Sequence, residues 1–435
     1  MSSHRSFSLI SERIFKMIIR DAVHGDLTFS SDEQKILDTP EVQRMRGIKQ
    51  LGTSYFVYPS ATHTRFEHSL GTVYCAKKIL EALSNKTSLD PKLTTIIKIS
   101  ALLHDISHIP FGHTFEDERK LMKRHDKGDR FQLLTTNTKL GDALDKLNLR
   151  DEITSIVENK KHPNIPKWAK QIVSSTIDAD LLDYLRRDNY FTGLSQNYDE
   201  RVFHSFLIKD DELGINMVKR GINRQDTLTE IMNLLRLRYF LTERVYFHHT
   251  KVIAGSMISK ALEYVLDKGI DDTEFLKHSD GSFMDMISEK STQAKSLITA
   301  IKERELFKRS YVLSYQHCHE GIPERLIKQF SADINARNKA EKKIAELAGI
   351  SPENVILYCS DLPSNKEAEV KVNSAEGWHP FSGINSQKTI EEIAILDTKF
   401  KHLWKLYILV KKPFIDQVAK ASADYFQIPN ELSLN

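Results

Sequence analysis

The sequence has few cysteines and no long apolar run. Cys75, Cys318 and Cys359 lie far apart in the 435 residues and form no CxxC pair. They provide neither a disulfide framework nor a zinc knuckle, and such usage is typical of a reducing compartment. No apolar run approaches the roughly 20 residues that span a bilayer, and the N-terminus has no signal-peptide core. We therefore expect a cytoplasmic protein without a membrane partner.

An excess of charge of one sign is also missing. The chain has 62 basic and 59 acidic residues, a net charge of +3. This balance argues against bulk electrostatic binding of nucleic acid, although a local basic pocket is compatible with it. With 40% hydrophobic residues, the chain can bury a substantial core, either in one large domain or in two to three domains.

Helical patterns dominate the first 310 residues. Residues 16–30 contain β-branched side chains interrupted by His24 and Gly25, which predicts a short hairpin. Apolar periodicity predicts an amphipathic helix and then a helix that is apolar on most of its surface. The predicted helical stretches are 66–83, 93–106, 166–188 and about 225–266.

The pattern changes towards the C-terminus. The runs VILYCS, EAEVKV and LWKLYILV are typical of strands, and a Gly/Pro/Ser-rich segment separates the last two. Residues 114–165 are polar, which favours an insertion or lid. We therefore predict a mainly α fold, with a helical body over 1–310 and a smaller α+β lobe over 311–435.

Histidines are concentrated in two short segments. HTRFEHSLG (63–71) opens one predicted helix, and LLHDISHIPFGH (102–113) follows the end of the next. A single histidine on an apolar face is usually structural, but five in two such segments favour a metal site built from imidazole and carboxylate groups. The candidate ligands are His68, His104, Asp105 and, from a later helix, Asp180.

The later helices present polar side chains at helical spacing. Asp180, Tyr184 and Asp188 lie at i, i+4 and i+8, so they form one stripe. This stripe of acid, phenol and acid suits the wall of a polar pocket. Arg238 and Tyr246 on a further helix supply a cation and an aromatic ring for a phosphorylated, ring-bearing ligand.

Three runs resemble a known family. DAVHGDLTFSSDEQKILDTPEVQRMRGIKQLGTSYFVYPSATHTRFEHSLG, LLHDISHIPFGHTFE and IDADLLDYLRRD are similar to signatures of HD-superfamily phosphohydrolases. The match is closest to SAM-and-HD-domain deoxynucleoside triphosphate triphosphohydrolases and their bacterial dGTPase-like relatives. It begins within about 16 residues of the N-terminus, so no SAM domain is expected. The resemblance implies cleavage of dNTP to deoxynucleoside and inorganic triphosphate, in dNTP pool control or phage defence.

The resemblance also implies roles for individual residues. One divalent metal ion (Mg, Mn, Fe, Zn or Ni) would be held by the four ligands named above. Charge on the α-phosphate would be neutralised by the metal and Arg65. We expect His108, held protonated by Glu116, to donate a proton to the departing 5′-oxygen. The positions that match catalytic residues are His108, Glu116 and His125.

The remaining matches concern the substrate. Gln50 and Asp188 would bind the sugar 3′-hydroxyl, and Leu51 would exclude a 2′-hydroxyl. Tyr184 would pack under the deoxyribose. The phosphates and the base would be contacted by His113, Arg238 and Tyr246.

Two features depart from the family pattern. A lysine that touches the terminal phosphate is replaced by Leu181, so that Arg238, His249 or Lys251 would have to substitute for it. The second departure concerns the guanine-nucleotide activator site of the family's animal members, which this sequence matches only in part.

Part of that activator site is matched in this sequence. Asp38, Gln43 and Arg46 match it, whereas its lysine aligns with Met17, one position from Lys16. The resemblance implies a homo-oligomer, a dimer or a tetramer, and an activating nucleotide would drive tetramer assembly.

Two other functions remain open. Loss of the lysine favours an HD-family nuclease or cyclic-nucleotide phosphodiesterase, although a nuclease usually needs a basic track. A non-catalytic nucleotide-sensing or nucleic-acid-binding module is the other alternative. The complete set of metal ligands argues against it, because a degraded site should have lost a ligand.

Overall fold

The computed structural model describes residues 17–432 and has a mainly α-helical fold with small sheets, which confirms the predicted fold class. Within this part of the chain, no helix is both long and apolar enough to cross a bilayer. The α-helices are α1 (Ser31–Leu37), α2 (Pro40–Gln43), α3 (Arg65–Ser84), α4 (Pro91–Leu103), α5 (Arg130–Thr135), α6 (Lys139–Lys146), α7 (Arg150–Val157), α8 (Lys167–Val173), α9 (Ala179–Thr192), α10 (Arg201–Ser205), α11 (Gln225–Leu241), α12 (His249–Glu263), α13 (Asp272–Phe275), α14 (Asp280–Lys290), α15 (Thr292–Lys302), α16 (Ile322–Phe330), α17 (Ile334–Ala348), α18 (Gln387–His402) and α19 (Ile415–Phe426).

The strands form four small sheets within residues 17–432. β1 and β2 are the predicted hairpin, and β5 and β6 form a second antiparallel pair. A three-stranded antiparallel sheet has the order β7-β11-β8, and a four-stranded sheet has the order β10-β9-β4-β3. The strands are β1 (Met17–Asp21), β2 (Gly25–Phe29), β3 (Phe206–Lys209), β4 (Glu212–Asn216), β5 (Val218–Lys219), β6 (Ile222–Asn223), β7 (Lys308–Ser314), β8 (Val355–Cys359), β9 (Lys371–Ser374), β10 (Gly377–Pro380) and β11 (Lys405–Val410).

Local sequence determines where the two histidine-bearing helices begin and end. Thr64 and Glu67 form a capping box at the start of α3, with the Thr64 amide donating to Glu67 Oε2 at 2.6 Å. Helix α4 begins at Pro91 after the N-cap Asp90, and its apolar residues from Ile96 to Leu103 are buried. The start of α3 and the end of α4 therefore bring His68 and His104 together.

Two hydrophobic cores lie in the described part of the chain. The smaller one packs β7, β8 and β11 against α16, α17 and α19. The larger one includes the helical body and also buried side chains of residues 368–396. Strand β9 pairs with β4, so one sheet contains residues from both sides of the predicted boundary near 310. The boundary itself stays a prediction.

Several element boundaries differ from the predicted ones. The predicted helix 166–188 is interrupted between Val173 and Ala179, where Asp178 caps α9. The stretch 225–266 divides at the π-helical turn Thr242–Tyr246. The run EAEVKV is a strand only from Lys371, because residues 366–369 form a 3₁₀ turn.

The polar stretch 114–165 contains α5, α6 and α7. Each of these helices buries apolar side chains in the larger core, among them Phe131, Leu144 and Ile153. The stretch is thus anchored to the body of the fold, and a lid function for it stays a prediction.

Candidate metal centre

Side chains from three separate helices converge at the ends of α3, α4 and α9. His68 Nε2 lies 3.2 Å from His104 Nε2 and 3.0 Å from Asp180 Oδ1. One potential ligand atom from each of these residues lies within 4.8 Å of the others. Asp180 is in the first turn of α9, next to the cap residue Asp178. The structure thus brings together residues that are 112 positions apart in the chain.

Asp105 completes this group. Its Oδ1 lies 3.5 Å from His104 Nε2, and its Oδ2 lies 3.8 Å from His68 Nε2. The donor set is two imidazole nitrogens and two carboxylates, which suits Mn²⁺, Fe²⁺, Zn²⁺ or a related divalent ion. The four residues could therefore hold the metal that the sequence pattern predicts.

Arg65 lies beside this group and is almost completely buried. Its Nη1 donates to Asp105 Oδ2 at 2.5 Å, whereas its buried Nε has no partner among residues 17–432. A buried donor without an acceptor costs free energy. Arg65 therefore has a spare N–H for an anionic ligand beside the metal position.

A hydrogen-bonded network surrounds the ligands, and the sequence analysis did not identify it. Asp183 Oδ2 accepts from His68 Nδ1 at 2.7 Å, while Asp183 Oδ1 lies 2.7 Å from His24 Nε2. Arg187 donates to Asp183 and also to Asp21, at 2.8 Å and 2.9 Å. Such partners orient metal-binding histidines. The acid three residues after Asp180 on the same helix was the available signal.

Gly71 makes room for this network. A Cβ atom at residue 71 would lie 1.8 Å from Asp183 Oδ1 and 2.4 Å from Arg187 Nη2. Helices α3 and α9 can approach this closely only because residue 71 has no side chain.

The same carboxylates control the charge of His68. Burial lowers the pKa of this histidine, but its hydrogen bonds to Asp180 and Asp183 outweigh that effect and raise the pKa to about 10. In the metal-free protein, a proton on His68 therefore offsets part of the negative charge.

The predicted catalytic residues lie next to the metal group. His108 Nε2 lies 3.3 Å from Asp105 Oδ1, and its ring centroid lies 3.7 Å from that of His125. Glu116 Oε2 is 3.3 Å from His125 Nδ1 and 3.5 Å from His108 Nδ1. Arg130, which the sequence analysis missed, donates to the other oxygen of Glu116 at 2.7 Å.

The surroundings shift the pKa values of both His108 and Glu116. Burial lowers the pKa of His108 well below its usual value, and the nearby Arg65 and His125 lower it further. Burial raises the pKa of Glu116, but His108 and the hydrogen bond from His125 outweigh this and lower it. The role of His108 as the protonated donor stays a prediction, since these shifts apply to the protein without metal or substrate.

His113 lies at the edge of this group. Its side chain is 47% exposed, and its Nδ1 is bound to Asp117 Oδ2 at 2.7 Å. Arg124 donates to the other oxygen of Asp117. His113 is therefore close to His108, at 4.7 Å between ring centroids, but is already paired with an acid.

The predicted sugar-binding residues Asp188, Leu51 and Gln50 are partly or completely buried. Asp188 Oδ1 lies 2.9 Å from His63 Nε2, and Tyr246 donates to Asp188 Oδ2 at 2.6 Å. Leu51 is buried, and Gln50 has a buried Oε1 without a hydrogen-bond partner in residues 17–432. Gln50 thus retains an unused acceptor for a ligand hydroxyl.

Arg238 and Tyr184 are in direct contact. Arg238 Nη1 donates to the Tyr184 hydroxyl at 3.1 Å. The same guanidinium is paired with the buried Glu367, at 3.2 Å from Nη1 to Oε1. The sequence analysis did not identify Glu367, which lies 129 residues after Arg238.

The other candidate phosphate contacts are not free cations. Leu181 is buried in the core, and Lys251 is paired with Glu118. Burial and the nearby Arg309 lower the pKa of His249 to about 4, so it is neutral at neutral pH. Neither Lys251 nor His249 therefore supplies the unpaired positive charge that a lysine in place of Leu181 would give.

The predicted activator residues lie in α2, directly after α1 and in the 3₁₀ turn Arg44–Gly47. Arg46 Nε donates to Gln43 Oε1 at 2.8 Å, and its guanidinium lies 3.6 Å from the centroid of the Phe66 ring. Asp38 is exposed and accepts from Gln34. Lys16 lies outside the described residues. An activator site here stays a prediction.

Two family models match this chain. The HD domain matches residues 65–188, and the HD associated region matches residues 224–434. An uncharacterized protein of Methanocaldococcus jannaschii is 34% identical over 414 residues, which cover 92% of this chain and 80% of that protein. The HD-domain match runs from the start of α3 into α9. It therefore includes all four candidate ligands, His68, His104, Asp105 and Asp180.

More distant similarities agree with this match. Deoxynucleoside triphosphate triphosphohydrolase SAMHD1 of Mus musculus is 29% identical over 386 residues, which cover 75% of this chain but 58% of the mouse protein. The crystal structure of a hypothetical protein from Aquifex aeolicus has a TM-score of 0.70 at 23% identity. The superposition covers 94% of this chain and 100% of the Aquifex aeolicus chain. At this low sequence identity, the likeness supports a shared fold alone.

Proposed function

The chain belongs to the HD-domain family, with an HD domain followed by an HD-associated region, and from this premise we propose that it is a metal-dependent phosphohydrolase that cleaves dNTPs to deoxynucleoside and inorganic triphosphate. The similarity to the mouse triphosphohydrolase supports the choice of substrate. The observation on which the proposal depends most is the convergence of His68, His104, Asp105 and Asp180 beside Arg65.

In this proposal the four ligands hold one divalent metal ion. When bound, such an ion polarises a phosphoryl oxygen and lowers the pKa of a coordinated water. Arg65 lies against Asp105, and its spare Nε–H points to a second role, binding an α-phosphate oxygen. Arg65 would thereby orient the phosphate and stabilise the charge that develops on it.

A second group of side chains would move the proton that the leaving 5′-oxygen needs. His125 Nδ1 and His108 Nδ1 lie 3.3 Å and 3.5 Å from the same oxygen of Glu116, so this carboxylate would stabilise a proton on either imidazole. Arg130 holds Glu116 in place through its other oxygen. His125 is less buried than His108 and is therefore the better entry point for a proton from solvent.

The sugar-binding side of the proposal concerns Asp188 and its partners. His63 and Tyr246 each bond one oxygen of Asp188, so its carboxylate is held in one orientation. A carboxylate oxygen can accept more than one hydrogen bond, so a sugar 3′-hydroxyl can be added. Leu51 offers an apolar surface against which a 2′-hydroxyl would lose its hydrogen bonds to water.

The test is a panel of the four dNTPs, assayed with Mg²⁺ or Mn²⁺ and with each other nucleotide present or absent. We expect deoxynucleoside and inorganic triphosphate, and no turnover by H104A/D105A. The matched control is D142N, an exposed acid on α6. Monophosphate with pyrophosphate, or no hydrolysis of any dNTP, would exclude the proposed reaction.

The same panel addresses regulation and assembly. We propose that the protein is a homo-oligomer that responds to a nucleotide bound near Asp38, Gln43 and Arg46. Hydrolysis stimulated by a second nucleotide, together with an increase of molar mass in light scattering, would support this. A labelled single-stranded oligonucleotide in a parallel reaction tests the nuclease alternative.

A further inference from the structure

Arg238 is held by a carboxylate from a distant part of the chain. Glu367 comes from the 3₁₀ turn Lys366–Glu369, and its Oε1 lies 3.3 Å from Arg238 Nε and 3.2 Å from Nη1. Tyr184, whose hydroxyl accepts from Arg238, fixes the guanidinium from the opposite helix. The cation that is proposed to contact the substrate phosphates is therefore already bound to an anionic group of the protein.

The geometry of this pair is poor. Arg–carboxylate pairs are usually about 2.7–2.9 Å apart and often use both oxygens. Here only Oε1 is used, at more than 3 Å, while the buried Oε2 has no hydrogen-bond partner within residues 17–432. A buried carboxylate with an unpartnered oxygen costs free energy. The pair is therefore easier to separate than a bidentate ion pair.

A phosphate group would compete with Glu367 for the same guanidinium. Each phosphate oxygen next to Arg238 would face a carboxylate of the same charge, and the low exposure of Glu367, 2%, gives little screening by water. Leu181 provides no second cation that could compensate. Binding of a polyphosphate therefore requires Glu367 to move away or a loss of affinity.

We propose that Glu367 takes the place of a substrate phosphate on Arg238, so that the turn 366–369 of the HD-associated region must release Arg238 before a polyphosphate can bind there. This deepens the proposed function, since it rests on Arg238 as a phosphate contact. The ordering of the turn 366–369 thus controls affinity for the phosphate end of the substrate. A ligand or an oligomer contact that displaces the turn would activate the enzyme without touching the metal ligands.

The test uses E367Q in the 435-residue chain and inorganic tripolyphosphate as the probe. Removing the competing charge should lower the dissociation constant for tripolyphosphate about tenfold, measured by calorimetry with Mn²⁺ at a fixed concentration. The matched control is E369Q, which removes an exposed carboxylate from the same turn. Equal or weaker binding by E367Q, or equal gains in both variants, would overturn the proposal.

A second measurement needs no substitution and covers the case in which E367Q does not fold. Hydrogen exchange of the wild-type amides at residues 366–370 should become faster when tripolyphosphate is added, because the turn loses its contact with Arg238. Slower or unchanged exchange contradicts displacement. Neither readout involves hydrolysis, so a protein that cleaves no dNTP can still support the role of Glu367, and failure here leaves the dNTP assay intact.

Discussion

His68 Nδ1 lies 2.7 Å from Asp183 Oδ2, which leaves His68 Nε2 facing His104 and Asp180. Asp183 is itself held by His24 and by Arg187, so its position is over-determined. A carboxylate that accepts the Nδ1 proton orients the imidazole and makes its other nitrogen a better ligand. The affinity for the metal should therefore depend on a residue that does not bind it.

The first prediction concerns this carboxylate. D183N keeps the size of the side chain but removes its charge, so we expect about 10- to 100-fold weaker binding of Mn²⁺, measured by calorimetry on metal-free protein. The control D142N should bind as the wild type does. Unchanged affinity in D183N would show that Asp183 is structural only.

The second prediction concerns the space for Asp183. In G71A the new methyl group would lie 1.8 Å from Asp183 Oδ1, so α3 and α9 must separate or the network must break. We expect the free energy of unfolding to fall by about 1–3 kcal/mol, measured by urea denaturation, with a loss of Mn²⁺ affinity. The control G281A adds a methyl group that meets no atom within 4 Å and should be neutral or slightly stabilising.

The convergence of the candidate ligands was easier to predict from the sequence than the hydrogen-bonded residues around them. His68 opens a helix and His104 follows the end of another, and helix ends are recognisable from caps and apolar periodicity. Asp183 looks like an ordinary polar residue on α9 because its partner His68 lies 115 residues earlier. Glu367 is equally hidden, since it is an acid in a polar run and only the tertiary fold pairs it with Arg238.

The same reason explains why the sequence analysis did not predict β3 and β4. Strands β3 and β4 lie in FLIKDDELGIN, a run with too many acids for clear alternation. They are stabilised by β9, which is contributed by residues more than 150 positions later. Pairing of this kind depends on tertiary contacts rather than on local propensity.

The third prediction follows from the charge on His68. Its pKa is raised to about 10 in the metal-free protein, so at neutral pH the metal must displace a proton. Affinity for Mn²⁺ should therefore rise with pH, by about tenfold per pH unit while one proton is displaced. Calorimetry between pH 6 and pH 8, in two buffers of different ionisation enthalpy, measures both the slope and the released proton. A flat profile would contradict a protonated His68.

The last prediction concerns a buried charge network that joins α12, β8 and the segment after Glu116. Glu263 accepts from Arg119 at 2.6 Å and from Lys260 at 3.1 Å, and Arg119 also donates to the Leu357 carbonyl in β8. Burial raises the pKa of Glu263, but Arg119 and Lys260 outweigh it and lower the pKa to about 2. Since this is below the unfolded value of 4.5, the folded state holds Glu263 ionised over a range in which the unfolded chain takes up a proton.

The stabilisation from Glu263 should thus be complete above pH 4.5 and be lost as the pH falls towards 2. At pH 7, E263Q should lower the free energy of unfolding by about 3 kcal/mol, and this difference from wild type should shrink steadily below pH 4.5. Urea denaturation at pH 7, 5, 4 and 3 measures it, with E289Q, an exposed acid on α14, as the control. If the difference in unfolding free energy between wild type and E263Q stays constant with pH, Glu263 acts through packing. A contribution from its ionised carboxylate would instead be lost on protonation.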